Sequence, residues 1–211
     1  MDERQPKITG LILAGGLAKR FGGGKCSAIL ADFPLITWVY STLSEISQAI
    51  WLSVRTQEFQ IPEDLAFERI FIDERPGAGP VVALARILQQ TKGTLIVAPC
   101  DQPFLRKSLL YFLLHEAQRE NAEVAVCTDE KGRLLPFPGI FRGPLKLVGT
   151  SFKEALAQKH TLIIAPPSWR KYDPLGVSFF NVNYREDLYR AQKLMEAARI
   201  ARPPYPPQPS S

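Results

Sequence analysis

Residues 8–13 form an apolar run that breaks abruptly into Ala14-Gly15-Gly16-Leu17-Ala18-Lys19-Arg20-Phe21-Gly22-Gly23-Gly24-Lys25. The run is predicted to be a buried strand. Five glycines among residues 14–24 let backbone N–H groups approach a bulky anion, and Arg20 and Lys25 supply positive charge. By composition this is a phosphate site at the end of a strand. It is not the common P-loop, because Cys26 follows Gly24-Lys25 where that loop needs Ser or Thr and Lys19 stands where its first glycine belongs; nor does the run satisfy G-x-G-x-x-G.

Beyond the loop, apolar runs and helical spacing alternate. A short extended piece and turn at 27–35 precede a helix with Leu35, Ile36, Val39, Tyr40, Leu43 and Ile46 on one stripe. Strands are predicted over 49–54 and 69–73, the latter ending in Asp73 at the carboxyl edge where α/β sheets bind ligands. Pro80 suits the first turn of a helix, residues 94–98 form an all-apolar strand, helical spacing resumes from Ser108, and a strand follows at 123–127. This alternation predicts an α/β fold with a single doubly wound, mostly parallel sheet.

The second half is less regular. Residues 134–141 carry two prolines, which predicts an irregular or edge strand. A helix at 150–156, a strand at 161–165, a final strand at 177–182 and a closing helix at 186–200 complete the expected domain, residues 1–202. Residues 203–211, rich in proline and ending Ser210-Ser211, are expected to be a disordered tail.

A chain of 211 residues with 45% hydrophobic content can build a sizeable core in one domain. The net charge of +5 favours an anionic partner, but the bases are scattered rather than gathered into a stripe with interleaved aromatics, which argues against nucleic acid. No apolar segment approaches the roughly 20 residues needed to span a membrane, and the polar N-terminus carries no secretory h-region, so a cytoplasmic location is expected. Cys26, Cys100 and Cys127 lie far apart, which predicts neither a zinc site nor a disulfide framework, and a reducing compartment.

Among the carboxylates, Asp101 is the most informative. It follows an apolar strand in a Cys-Asp-x-Pro turn on the edge that the glycine loop should share. A carboxylate there suits Mg²⁺, a hard cation usually shared between one or two acids and substrate phosphates; it equally suits a helix cap or a loop ion pair. His115 and His160 have no ligand-type neighbour in sequence and read as surface residues. Cys100 reads as a buried, inert thiol, and the tryptophans as core or rim residues, Trp169 beside Arg170 and Lys171 being the candidate for stacking.

Four ordered blocks carry a family resemblance. The L-A-G-G-x-A-x-R-F-G-x-x-K run ending at Lys25, Gly79-Pro80-Val81 opening a helix, Cys100-Asp101-Gln102-Pro103-Phe104, and Phe180-Asn181-Val182-Asn183 followed by Asp187-Leu188 together resemble the molybdenum cofactor guanylyltransferases. The resemblance implies a Rossmann-like nucleotidyltransferase fold and transfer of GMP from GTP to a molybdopterin-type cofactor, with Mg²⁺ as cofactor and molybdoenzymes or their chaperones as recipients. It implies that Leu13, Ala14, Gly15 and Gly16 line the nucleotide, that Arg20 and Lys25 serve its phosphates, that Asp73 contacts it, and that Asp101 binds metal and nucleotide. Asn181 and Asn183 would lie on the acceptor side, or else make turn contacts with their own backbone. Departures occur at Gly24, where the family often has Asp, at Ser53 (Asn), at Leu135 (Gln or His) and at Tyr184-Arg185 (Thr-Pro). Cytidylyl or sugar-phosphate nucleotidyl transfer by the same loop, and a carrier that binds without turnover, remain open alternatives.

Overall fold

The computed structural model describes residues 7–15, 21–73 and 79–203. Strand β1 (Ile8–Leu13) leads through the glycine segment to a 3₁₀ turn at Lys25–Ser27, a small hairpin of β2 (Ile29–Leu30) and β3 (Phe33–Pro34), and helix α1 (Leu35–Ser44). Then come β4 (Ala49–Val54), β5 (Arg69–Ile72), α2 (Pro80–Gln90), β6 (Gly93–Pro99), α3 (Lys107–Arg119) and β7 (Val124–Thr128). The chain continues through β8 (Leu134–Gly143), α4 (Phe152–Ala157), β9 (Thr161–Ile164), the short α5 (Pro166–Trp169), a 3₁₀ turn at Val177–Phe179 and α6 (Glu186–Ala197).

Seven strands form one sheet in the order β5-β4-β1-β6-β8-β7-β9. All of its neighbours pair in parallel except β8, which is antiparallel to both β6 and β7. Alternation along the central strands sends residues to opposite faces. Ile12, Ile96 and Ala98 pack with α1 and α3 through Val39, Leu43, Leu109 and Leu113. Leu11, Leu95 and Val97 pack on the other face with α2 through Val81, Leu84 and Leu88. A third cluster seats α6, through Ala191 and Met195, beside Phe21, Leu30, Trp38 and Phe104. The doubly wound, mostly parallel fold is therefore as the alternating pattern predicts. Among the described residues no helix is long and apolar enough to cross a membrane.

Two elements differ from expectation. β8 is irregular, as one of the two expectations had it, but interior rather than an edge strand, because its prolines sit where no ladder donor is required. Cys127 pairs with Leu135 and Ala125 with Ile140, so residues 136–139 bulge opposite Val126, and regular pairing with β6 begins at Gly139. Residues 177–182 are not a strand. Gly176 turns at φ 65°, and the buried Asp173 carboxylate accepts the N–H groups of Val177 (3.1 Å) and Ser178 (2.8 Å), taking donors that a ladder would have used. The expected tail from residue 203 lies, but for Pro203, outside the described residues.

One backbone contact controls how β6 enters the sheet. Gly93 has φ 112°, and a Cβ there would stand 2.5 Å from the Lys7 carbonyl oxygen, which accepts the Thr94 N–H at 3.0 Å. Gly93→Ala should therefore destabilise the protein by about 1–3 kcal/mol, read as a lower urea midpoint with an unchanged slope.

Candidate active site

Parallel pairing carries the carboxyl ends of β1, β4 and β6 to one edge, with Leu13 beside both Ser53 and Pro99. Backbone bonds extend the alignment past the strands: Ala14 N–H donates to the Ser53 carbonyl (2.7 Å) and Cys100 N–H to the Leu13 carbonyl (3.0 Å). Leu13, Ala14 and Gly15 are thereby fixed at this edge. Gly16 and Arg20, also expected at the site, lie outside the described residues.

Lys25, Asp101 and Asn183 meet here although they are distant in sequence. The Lys25 ammonium donates to Asp101 Oδ2 at 2.5 Å and to Asn183 Oδ1 at 3.2 Å. The Lys25 and Asp101 side chains are only 16% and 14% exposed, so the pair is largely withdrawn from water. Among the described residues Asp101 Oδ1 is buried without a hydrogen-bond partner. An acceptor left in that state is costly unless something else fills it. A cavity of about 360 Å³ beside Lys25 is lined by Ala14, Gly24, Cys26, Arg55 and Phe59.

The asparagine segment is held from two directions. Val182 N–H donates to the Asp101 carbonyl (2.9 Å), and Asp187 Oδ2 accepts both Asn183 N–H and Tyr184 N–H (2.9 Å each), while Arg190 pairs with Oδ1 (3.1 Å). Burial pushes the Asp187 carboxyl up, but these N–H groups and the Arg190 charge outweigh it and hold it below the ordinary carboxylate range. Asn181 behaves differently: its amide donates to the Phe179 carbonyl at 2.9 Å, a local turn contact on an exposed residue. Asp73 follows β5 and lines a separate cleft of about 290 Å³ with Ser53, Phe71, Ile72 and Arg86.

The cysteines overturn an expectation. Cys26 and Cys100 form a disulfide, so the pair is neither free nor a reducing-compartment signature, and Cys100 is not a thiol. The signal was present in sequence: each cysteine adjoins a residue of the Lys25/Asp101 pair, so loops that bring those two together also bring the cysteines together. Cys127 stays free and buried; burial first, then the Asp173 charge, pushes its thiol up to about 12, which makes it inert as a nucleophile. Trp169 is core, its Nε1–H donating to the Thr128 carbonyl, and not a stacking platform. His115 is exposed beside Glu116, and His160 faces the Asn121 carbonyl. Sequence reasoning also missed Arg55, whose Nε is buried without a partner among the described residues, and the role of Gln102, which donates to the Phe137 carbonyl (3.2 Å) and so ties the β8 bulge to the Asp101 turn.

Residues 10–202 match the MobA-like NTP transferase domain. The chain belongs to that family. A molybdenum cofactor guanylyltransferase from Cupriavidus metallidurans is 30% identical over 201 residues, 86% of this chain and 93% of that protein. A protein of the same description from Shewanella woodyi is 33% identical over 128 residues, 59% of the chain and 64% of that protein. In fold, the chain is similar to the crystal structure of molybdopterin-guanine dinucleotide biosynthesis protein A from Archaeoglobus fulgidus, with a TM-score of 0.71, 19% identity, and coverage of 90% of this chain and 99% of that one. As a member of the MobA-like NTP transferases, the chain is a nucleotidyltransferase built on a Rossmann-like sheet.

Among the described residues no group of three or more His, Cys, Asp or Glu could hold a metal ion by itself. A lone carboxylate oxygen is nevertheless what Mg²⁺ needs when phosphates and water complete its shell, and the unpartnered Asp101 Oδ1 fits that demand.

Asp187→Ala should cost about 1–3 kcal/mol at pH 6, because two N–H groups lose their acceptor. A carboxyl held low in the native state contributes stability above its unfolded value of about 4, and that contribution is lost as pH falls through the lower native value. The gap between variant and wild type in denaturant titrations should therefore be flat above about pH 5 and narrow below about pH 4.

Proposed function

We propose that the chain transfers GMP from GTP to a molybdopterin-type molybdenum cofactor, forming the guanine dinucleotide cofactor and releasing pyrophosphate. The observation that carries the reading is the meeting of Lys25, Asp101 and Asn183 at the carboxyl edge, with one Asp101 oxygen left for a further ligand. Relatives described as molybdenum cofactor guanylyltransferases supply the substrate assignment. The cytoplasm is the proposed setting, where burial shields the Cys26–Cys100 disulfide from reductants, with molybdoenzymes or their chaperones as recipients of the product.

In this reading an oxygen of the acceptor's phosphate attacks the α-phosphorus of GTP. A P–O bond to the acceptor forms, the bond from the α-phosphorus to the bridging oxygen breaks, and pyrophosphate leaves with that electron pair. A phosphate monoester is already largely ionised near neutral pH, so no strong base is required; two anions must be aligned and their repulsion offset. Among the described residues Lys25 uses two of its three N–H donors on Asp101 and Asn183, which orients the third toward a phosphate oxygen. Asp101 would hold Mg²⁺ through Oδ1, and the ion when bound supplies charge neutralisation at the phosphates. Leu13, Ala14 and Gly15 give the nucleotide a rigid edge, and Asn183 is the acceptor-side polar group nearest the pair.

Thermal-shift titration with the four nucleoside triphosphates and Mg²⁺ tests the nucleotide: GTP should raise Tm most, and a clearly larger shift with CTP would replace guanylyl by cytidylyl transfer. Pyrophosphate release from GTP with molybdopterin excludes the carrier reading.

Asp101→Ala should abolish transfer in a folded protein, and near-normal Mg²⁺-dependent activity would remove the metal assignment. Lys25→Ala should lower kcat about tenfold or more, about 1.4 kcal/mol of barrier, with a smaller effect on GTP affinity, because a charge interaction that strengthens as pyrophosphate departs is lost mainly from the rate. Single-turnover transfer at saturating GTP reads this directly; an unchanged rate would leave Lys25 outside the chemistry.

A further inference from the structure

The segment that carries Lys25 reaches its position through Gly22, Gly23 and Gly24, at φ 84°, 92° and 60°, and a Cβ at any of them would meet nothing within 4 Å. Neither side chains nor close packing at these glycines fixes the path of the chain. Backbone bonds of the following turn are local or reach only the adjoining hairpin: Ser27 N–H to Gly24, Ala28 N–H to Lys25, Leu35 N–H to Ala28. Among the described residues no backbone hydrogen bond joins residues 24–27 to residues 100–101. Two side-chain links do. Cys26–Cys100 is one and Lys25–Asp101 is the other, and they are adjacent rungs, since residue 25 precedes 26 and residue 101 follows 100.

The two rungs differ in kind. The ion pair is a reversible contact that also serves the substrate through the third N–H of Lys25, so it does not by itself hold the loop exit in place. The covalent rung has no such duty. At 7% and 4% exposure its cysteines are buried and do not contact bulk solvent freely. The Asp101 turn, by contrast, is anchored to the sheet by the Cys100 N–H bond to Leu13 and to the asparagine segment by Val182 N–H. Phe21, buried beside Leu30 and Trp38, holds the near end of the three glycines, and the disulfide fastens their far end to a rigidly held turn.

We infer that Cys26 and Cys100 are positioning residues of the transfer reaction: their disulfide sets Lys25 against Asp101, and reducing it lowers turnover by releasing the exit of the glycine loop. This inference rests on the function proposed above. Reduction by a small dithiol is balanced within the pair. One reductant sulfur attacks Cys26 or Cys100, the bond between them breaks, the second reductant sulfur closes its own disulfide, and both cysteines leave as thiols, having taken two electrons and two protons. A displaced ammonium is a poor partner for charge that develops only during the reaction, so the loss should fall on kcat more than on KM for GTP.

The test compares the air-oxidised full chain with the same chain treated with excess dithiothreitol. Thiol alkylation in denaturant should count one cysteine in the first and three in the second, with both folded by circular dichroism at the assay temperature. The reduced form should lose tenfold or more in kcat while KM for GTP changes less than about threefold, and reoxidation should restore the rate. The Cys26→Ala/Cys100→Ala double variant should show the same low kcat and no response to dithiol. Hydrogen exchange over residues 22–28 should quicken on reduction, which reads the positioning without activity. A folded, reduced chain with kcat within twofold of the oxidised one, or unaltered exchange over that segment, overturns the inference. If neither form transfers GMP, the proposed function fails, and the exchange measurement alone still decides whether the disulfide positions the loop.

Discussion

The parallel pairing of β1 with β6, with Leu13 beside Pro99, delivers two otherwise unrelated stretches of chain to one edge. β4 on the other side of β1 adds Ser53 and Arg55 to that edge, and the bonds from Ala14 to Ser53 and from Cys100 to Leu13 continue the alignment one residue past the strands. Up to Gly15 the sheet decides where atoms lie. From Gly22 to Gly24 the chain runs through glycines, and the position of Lys25 depends on side chains that cross from one loop to another. Lys25, Cys26, Cys100 and Asp101 are those side chains, and they work only because β1 and β6 end level.

Energetically this edge runs against the rest of the fold. The two sheet faces bury Leu, Ile and Val in the usual way, whereas the edge withdraws a lysine and an aspartate from water, a transfer whose desolvation costs several kcal/mol per ion and which their attraction only partly repays. It also leaves Asp101 Oδ1 and Gln102 Oε1 buried without partners among the described residues. Such groups are poor sources of stability and good sources of binding, since a ligand that satisfies them recovers the desolvation already spent. The disulfide offsets part of that cost. Closing a separation of 74 residues constrains the unfolded chain by about 4 kcal/mol in the chain-entropy picture.

Sequence periodicity captured the elements whose neighbours are repetitive. β1 and β4 end where apolar runs end, Pro80 opens α2, and the stripe through Leu188, Ala191 and Met195 packs as a helix face. It failed where one tertiary contact outweighed the local pattern. Pro136 and Pro138 argued for an edge, yet a bulge opposite Val126 removes the need for their missing donors. The apolar residues after Gly176 read as a strand, but the buried Asp173 captures two of their N–H groups. At the site, motif order brought Lys25, Asp101 and Asn183 to attention, while the cysteine pairing escaped because its signal lies in the residues adjoining Lys25 and Asp101 and not in the spacing of the cysteines themselves. Asp187 was visible only as part of a motif; its use, holding Asn183 and Tyr184 N–H, is a fact of three dimensions.

The departure at Gly24 takes on a physical meaning here. Gly24 adopts φ 60°, ψ 25°, a left-handed conformation that glycine enters freely and that aspartate tolerates better than most residues. The Asp often found at this place in the resembled pattern is therefore compatible with the same backbone path, and glycine keeps the loop's course while removing a carboxylate next to Lys25. What changes is the charge balance. Among the described residues Asp101 is the one acid paired with Lys25, with Oδ1 left over, while Glu58 lines the neighbouring cavity. A divalent cation held there would draw more of its oxygen shell from substrate phosphates and water than it would between two acids, so its residence would depend more strongly on the nucleotide being present.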